Sequence, residues 1–244
     1  MRKTAIITGA NRGIGRAMLE KFAENDFDIF ACVRTENEEF ITAIENLSDK
    51  MGVEITPIYF NLSSEDEIKR GIKDILSTKK NIDVLINNAG VAHGGAFNMT
   101  SIKTMRDIYE VNVFAQVNIM QLIARKMMRQ ESGGCIINMC SAGGIKISPG
   151  YLAYGSSKAA LIYITKMAAK ELGQYKIRVN GIAPSLVETS MGHYKTDEEM
   201  EKYFSEMALK RFAKPEEIAE AALYITRAEF MTGHILVLDG GRTA

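Results

Sequence analysis

The chain has 244 residues, 46% hydrophobic and 25% charged, and its 30 basic and 30 acidic side chains cancel. These values exclude wholesale disorder and a collagen-like repeat, and a neutral chain lacks the overall basic field of a nucleic-acid binder. Three cysteines are too few for a disulfide scaffold, and no apolar run reaches the roughly 18 residues of a membrane span.

In chain order, short apolar runs alternate with longer helical ones. Residues 4–8 form a first strand. Residues 14–24 follow, with Ile14, Ala17, Met18, Phe22 and Ala23 at helical spacing. A second strand spans 27–33 and a second helix 38–47. Residues 53–60 read as a third strand, which Pro57 assigns to a sheet edge because proline cannot donate to a neighbour. Ser64 and Glu67 have capping-box spacing for a helix to about Leu76. A fourth strand at 82–86 precedes one long helical tract over 101–129. A fifth strand at 135–140, a helix at 154–172 and a sixth strand at 177–182 come next. Pro215 opens another helix at its first turn, and 234–238 is the last strand.

Strand and helix alternating in this way predict right-handed crossovers and a parallel sheet covered on both faces. The strands are continuous apolar runs, as double-sided burial requires. The expected fold is therefore α/β: a single Rossmann-type domain with a doubly wound, seven-stranded parallel sheet between two helical layers. Residues 185–210 interrupt the alternation. This segment holds Met191, Met200 and Met207 and is expected to cover the substrate. Its methionines form either an apolar wall or the inner face of a helix. Cys32 and Cys140 sit in apolar runs and Cys135 borders one, as small buried hydrophobes do. His93, His193 and His234 are too scattered to build a metal site with them. The apolar part of the amino-terminal segment is too short for a signal peptide, so a reducing cytoplasm is the expected location.

Thr8-Gly9-Ala10-Asn11-Arg12-Gly13-Ile14-Gly15 joins the first strand to the first helix. Glycines there let the backbone turn sharply and approach a pyrophosphate. The helix start adds unpaired N–H groups and a positive dipole end. A later pair, Tyr154 and Lys158, shares one helical face. Of nine tyrosines, only Tyr154 has a lysine four residues on. Ser141 stands 13 residues earlier, at the end of the fifth strand, and Asn112 lies in the long helical tract. Carbonyl reduction needs a hydride donor and a proton donor. Tyrosine serves as the acid when a neighbouring ammonium favours its phenolate. Ser141 is placed to hydrogen-bond the substrate oxygen and stabilise its developing charge.

These features resemble the short-chain dehydrogenase/reductase family over nearly the whole chain. The resemblance rests on the Gly-x-x-x-Gly-x-Gly turn with Thr8 in front, on Asn87-Asn88-Ala89-Gly90, on Tyr154-x-x-x-Lys158, and on Thr232-Gly233 with Asp239-Gly240-Gly241. Two positions depart from it. Ser185 follows Pro184 where many members have glycine, and Asn61 stands where aspartate is common. The resemblance implies a dinucleotide lying along Gly9, Asn11, Arg12, Gly13, Ile14 and Gly15 and past Arg34. It would then pass Asn61 and Leu62, cross Asn88, Ala89 and Gly90, and end at Tyr154 and Lys158 beneath Pro184, Val187 and Thr189. Asn112, Ser141, Tyr154 and Lys158 are the implied catalytic set, with Lys158 also holding the nicotinamide ribose and Asn112 supporting a water-linked proton relay.

An NAD site usually carries an acid about 20 residues beyond its glycines. Here Val33 holds that place, Arg34 follows, and Arg12 lies inside the turn. Two guanidiniums suit a 2′-phosphate, so NADP(H) is expected over NAD(H), although Glu36 is close by.

Chain length, the arginine in the turn and the stretch around 211–217 resemble the 3-oxoacyl-(acyl-carrier-protein) reductases. This implies NADPH-dependent reduction of a carrier-bound ketone, with acyl carrier protein as a partner. Arg129 reads as a docking base or an ordinary helix-end charge, and Tyr175 stands beside Lys176 where a basic residue is expected. The rival readings are a reductase of a free small-molecule ketone and a non-catalytic NADPH-sensing module. Tyr151 either lines the pocket or packs. The family resemblance also implies a homo-oligomer, dimer or tetramer.

Overall fold

A computed structural model describes residues 2–189 and 196–244, apart from the side chains of Asp197 and Glu199. Met191 and His193 lie outside the described residues. In chain order the elements are β1 (Lys3–Thr8), α1 (Gly13–Ala23), β2 (Phe27–Val33), α2 (Glu38–Met51), β3 (Ile55–Tyr59), α3 (Glu65–Ser77) and β4 (Val84–Asn87). There follow α4 (Ile102–Tyr109), α5 (Ala115–Met127), β5 (Gly134–Met139), α6 (Leu152–Leu172), β6 (Ile177–Pro184), α7 (Asp197–Ser205), α8 (Pro215–Arg227) and β7 (Ile235–Leu238). All seven expected strands form one parallel sheet in the order β3-β2-β1-β4-β5-β6-β7. β3 is an edge strand, as Pro57 requires.

The two-residue period of a strand sorts its side chains between the layers. In β1, Ala5 and Ile7 share a core with Met18 and Phe22 of α1 and Ile218 and Leu223 of α8. Ile6, between them, belongs to the opposite core with Ile72 of α3 and Ile119 and Ile123 of α5. A buried Leu or Ile is worth about 1.5–3 kcal/mol, so both faces of the sheet are held by burial.

Two local expectations need correction. The single tract over 101–129 is broken: a π-helical turn at Glu110–Phe114 separates α4 from α5. Asn112 sits in that turn, and its side chain is bonded to the backbone of Val91. The expected capping box of α3 is only half made. Ser64 accepts from the Glu67 N–H at 3.3 Å, but the Glu67 carboxylate reaches back to the Asn61 N–H at 2.9 Å. That longer reach fastens the end of the β3 loop, where Asn61 lines the cleft described below.

Among the described residues no helix is long and apolar enough to cross a membrane. No cluster of metal-ligating side chains occurs among them either. All three cysteines are buried and free.

Candidate active site

β1 lies between β2 and β4 in the sheet. The chain builds outward from β1 to β3, then crosses back past β1 to build β4 to β7. The loops after β1 and β4 therefore part, and a crevice opens at the carboxyl ends of these strands. It is a cleft of about 1000 Å³, with Arg34 and Asn61 among its walls at the second and third strands and Ser141, Tyr154 and Tyr203 among those further along the sheet.

The glycine turn forms its floor. Gly9 has a left-handed φ of 68°, and its N–H donates to the Cys32 carbonyl oxygen at 2.8 Å. A Cβ on Gly15 would lie 2.0 Å from the Gly9 carbonyl oxygen and 2.6 Å from Asn88 Nδ2. No side chain fits there, so the turn keeps its backbone open to a ligand. Arg12 is the N-cap of α1 and makes no side-chain bond to the first helical N–H groups. Those groups and the positive helix end suit a phosphate. Thr8 Oγ1 accepts from the N–H groups of Asn88 and Ala89, both at 3.0 Å. Asn88 Nδ2 donates back to the Thr8 carbonyl oxygen at 2.9 Å. One hydroxyl thus locks the Asn88-Ala89-Gly90 turn onto the glycine turn.

At the β2 end, Val33 is buried, and its carbonyl oxygen accepts from the Phe60 N–H at 3.0 Å. Arg34 and Arg12 are exposed and line the rim. Glu36 does not line the cleft. Burial first, and the Glu36 charge second, raise the phenol of Tyr59 on the edge strand. Among the described residues, four cations line the cleft (Arg12, Arg34, Lys158 and Arg242), and no carboxylate does.

The expected catalytic residues gather further along the sheet. Ser141 follows β5, and its Oγ accepts from the Gly143 N–H at 3.1 Å. A Cβ on Gly143 would stand 3.4 Å from Ser141 Oγ and 3.8 Å from Tyr154 Cε1, so both side chains bracket one point. Lys158, 5% exposed, donates from Nζ to the Met139 carbonyl oxygen at 2.8 Å. Burial lowers its ammonium from the ordinary 10.5 to about 8, with Cys140 opposing. Asn112 does not line the cleft. It is fully buried: its Oδ1 accepts from the Val91 N–H at 2.9 Å, and its Nδ2 donates to the Val91 carbonyl oxygen at 2.9 Å and to Ser157 Oγ at 3.1 Å. A Cβ on Gly90 would lie 3.1 Å from Asn112 Oδ1 and 3.4 Å from Lys158 Nζ, so the bare glycine lets these two groups approach.

All the other residues expected along the dinucleotide line the cleft, including Asn11, Gly13, Ile14, Asn61, Leu62, Ala89, Gly90, Pro184, Val187 and Thr189. Tyr151 lines it too. Of the two readings open for the methionines, Met200 and Met207 do not fit the wall: neither reaches the cleft. Met200 borders a separate cavity of about 490 Å³, and Met207 is buried beneath Gly240. Arg129 and Lys176 are exposed near the amino-terminal ends of β5 and β6. The length of a strand, about 20 Å, separates them from the cleft of their own chain. Ser148 and Arg242 line the cleft without having been expected there, while Ser185 and Tyr203, which also line it, belong to the segment expected to cover the substrate. Ser185 departs from the resemblance but shows no role in it, and the other three follow no spacing pattern; tertiary folding alone brings them together.

A family model described as "Enoyl-(Acyl carrier protein) reductase" matches residues 9–243. A short-chain dehydrogenase/reductase from Serratia marcescens superposes with a TM-score of 0.91 at 28% identity, covering 99% of this chain and 98% of that one. The chain belongs to the short-chain dehydrogenase/reductase family. Within the family it is 33% identical to the 3-oxoacyl-(acyl-carrier-protein) reductase of Aquifex aeolicus, over 98% of this chain and 96% of that protein. Acetoin dehydrogenase from Enterobacter cloacae is 30% identical with a TM-score of 0.89, covering 100% and 97% of the two chains. A short-chain dehydrogenase/reductase is an oxidoreductase that works with a nicotinamide dinucleotide. The floor cleared by Gly15, the open helix start at Arg12 and the guanidiniums of Arg12 and Arg34 fit such a cofactor.

Proposed function

We propose that the protein is an NADPH-dependent reductase that converts a 3-oxoacyl thioester to its secondary alcohol. The observation that carries the reading is the grouping of Ser141 and Tyr154 around Gly143, with the buried Lys158 one turn behind Tyr154. Bound NADPH supplies the hydride. The Ser141 hydroxyl donates to the ketone oxygen and steadies the charge that develops there. Tyr154 gives that oxygen its proton, and the Lys158 ammonium makes the resulting phenolate less costly. Lys158 would also hold the nicotinamide ribose, and Asn112 would support proton return to it.

The preference for NADPH rests on charge. Arg12 and Arg34 stand at the adenosine end, and no carboxylate lines the cleft among the described residues to hold a ribose diol. Two guanidiniums offer charge-assisted bonds to a 2′-phosphate. The 3-oxoacyl thioester rests on likeness to the Aquifex reductase. Because Arg129 and Lys176 lie at the opposite, amino-terminal end of the strands, a carrier protein would have to reach the cleft by another surface of this chain. From the segment expected to cover the substrate, Ser185, Val187, Thr189 and Tyr203 line the cleft and would border it. A second reading, reduction of a small free ketone, is favoured by the likeness to acetoin dehydrogenase.

The test follows the reduced nicotinamide absorbance with NADPH or NADH and, in turn, a short 3-oxoacyl thioester, the matching 2-enoyl thioester, and acetoin or diacetyl. The proposal expects NADPH oxidation with the 3-oxoacyl thioester first. Turnover confined to the enoyl thioester or to the free ketones would replace it.

A further inference from the structure

Arg242 follows the Asp239-Gly240-Gly241 turn, and its side chain is 4% exposed. It lines the cleft in company with Tyr151 and Tyr154. Asp239 shapes the turn by accepting the N–H groups of Gly241 and Thr243 at 2.9 and 2.8 Å. From there the guanidinium joins segments far apart in the chain. Its Nε and Nη2 donate to Glu206 Oε2, just past α7, at 3.2 and 3.0 Å. Nη2 also donates to Ser148 Oγ, in the loop entering α6, at 2.8 Å. The guanidinium carbon lies 4.1 Å from the centroid of the Tyr203 ring. Lys146 backs this arrangement: its Nζ donates to the Arg242 carbonyl oxygen at 3.0 Å and lies 3.4 Å from Glu206.

Among the described residues, no strand or other helix packs broadly on α7. Two further contacts of α7 are seen among the described residues. Tyr203 shares a 2.8 Å hydrogen bond with Ser185 Oγ, and Phe204 meets Phe212 edge to face at 5.4 Å. We infer that Arg242 is a positioning residue that clamps α7 against the cleft and so fixes the wall a ketone substrate meets. The inference rests on the reductase reading for the nature of that substrate, and on geometry alone for the clamp.

The charges explain why the clamp can be tested without unfolding the chain. Glu206 is partly exposed and faces two cations. Burial pushes its carboxyl up, but Arg242 and Lys146 outweigh that and hold it below the ordinary range. Removing Arg242 leaves Glu206 beside Lys146 and within reach of water. Removing Glu206 would instead strand a buried guanidinium, the more damaging change. Methionine at 242 fills similar volume and loses the stack and the charge-assisted bonds together.

The experiment uses Arg242→Met in the full chain with NADPH bound. Hydrogen–deuterium exchange across α7 should rise about tenfold while α1 keeps its protection. The KM for the best ketone should rise about tenfold, with kcat and the NADPH Kd changed less than about threefold. Arg242→Lys keeps charge without the planar stack and should fall between. Unchanged exchange in α7, or an equal rise in α1, would overturn the clamp. If the parent protein reduces no ketone, the functional reading fails, while the exchange result still decides the clamp. Should Arg242→Met not fold, Tyr203→Leu removes the stacking partner. The same pattern is expected from it, and unchanged exchange there would equally overturn the inference.

Discussion

Lys158 Nζ lies 5.9 Å from the centroid of the Tyr154 ring, one turn along the same face of α6. Burial brings the ammonium down to about 8, so its charge changes within an ordinary assay range. Below that value the ammonium steadies a Tyr154 phenolate and can return a proton to it. Above it the amine is neutral and reduction loses that source. The kcat/KM for ketone reduction should therefore fall as pH rises through about 8. A profile flat from about pH 7 to about 10 would take Lys158 out of the proton path. The same group makes a stability prediction. The unfolded chain keeps this proton up to about 10.5 and the folded chain only to about 8. Stability from Lys158 therefore rises with pH across that window and is level below it. Urea midpoints should show the rise in the parent protein and lose it in Lys158→Met.

Tyr154→Phe keeps the ring and removes only the hydroxyl. Turnover should drop about 100-fold or more, while the enhanced emission of NADPH on binding should give the parent Kd. Turnover near the parent value would reassign the acid. Loss of dinucleotide binding alongside activity would make the hydroxyl part of the binding surface instead.

Arg34→Ala tests the choice of cofactor. Arg34 is exposed at the rim, in no ion pair among the described residues, so its loss should leave the fold intact. The KM for NADPH should rise about tenfold, the effect of one charge-assisted contact, with NADH little changed. Equal effects on both would show that Arg34 does not read the 2′-phosphate.

Much of the sheet and the glycine floor was legible in advance because their causes are local. A buried parallel strand is a run of apolar residues, and Gly9 and Gly15 answer backbone demands within a few residues of themselves. The rest depends on contacts between distant segments. The break in the 101–129 tract comes from Asn112 meeting Val91, 21 residues away, and no helical period announces that. Glu67 passes over Ser64 to reach Asn61, although the spacing alone fits a local box. Arg242 meets Glu206 and Ser148 across 36 and 94 residues. Composition alone left the methionines of 185–210 open between a pocket wall and a helix face, and Met207 instead packs under the turn that carries Arg242.

Asn112→Ala separates two roles that the residue can hold at once. Its amide, fully buried, closes a two-way bridge to the half-exposed Val91 and makes a third bond to the buried Ser157. Truncation leaves the Val91 N–H and carbonyl oxygen without these partners inside the protein. Water can partly replace Asn112 at the exposed Val91, so each lost bond costs about 0.5–1.5 kcal/mol, and the urea midpoint should still fall without cofactor. The Val91 loop adjoins Gly90, so the approach of Asn112 and Lys158 should loosen and turnover should fall as well. Lost turnover with an unchanged midpoint would assign Asn112 to proton relay alone. A lowered midpoint with parent turnover under stabilising conditions would assign it to the loop alone, and the π-helical turn would then be a device for holding Val91 and Gly90 rather than part of the chemistry.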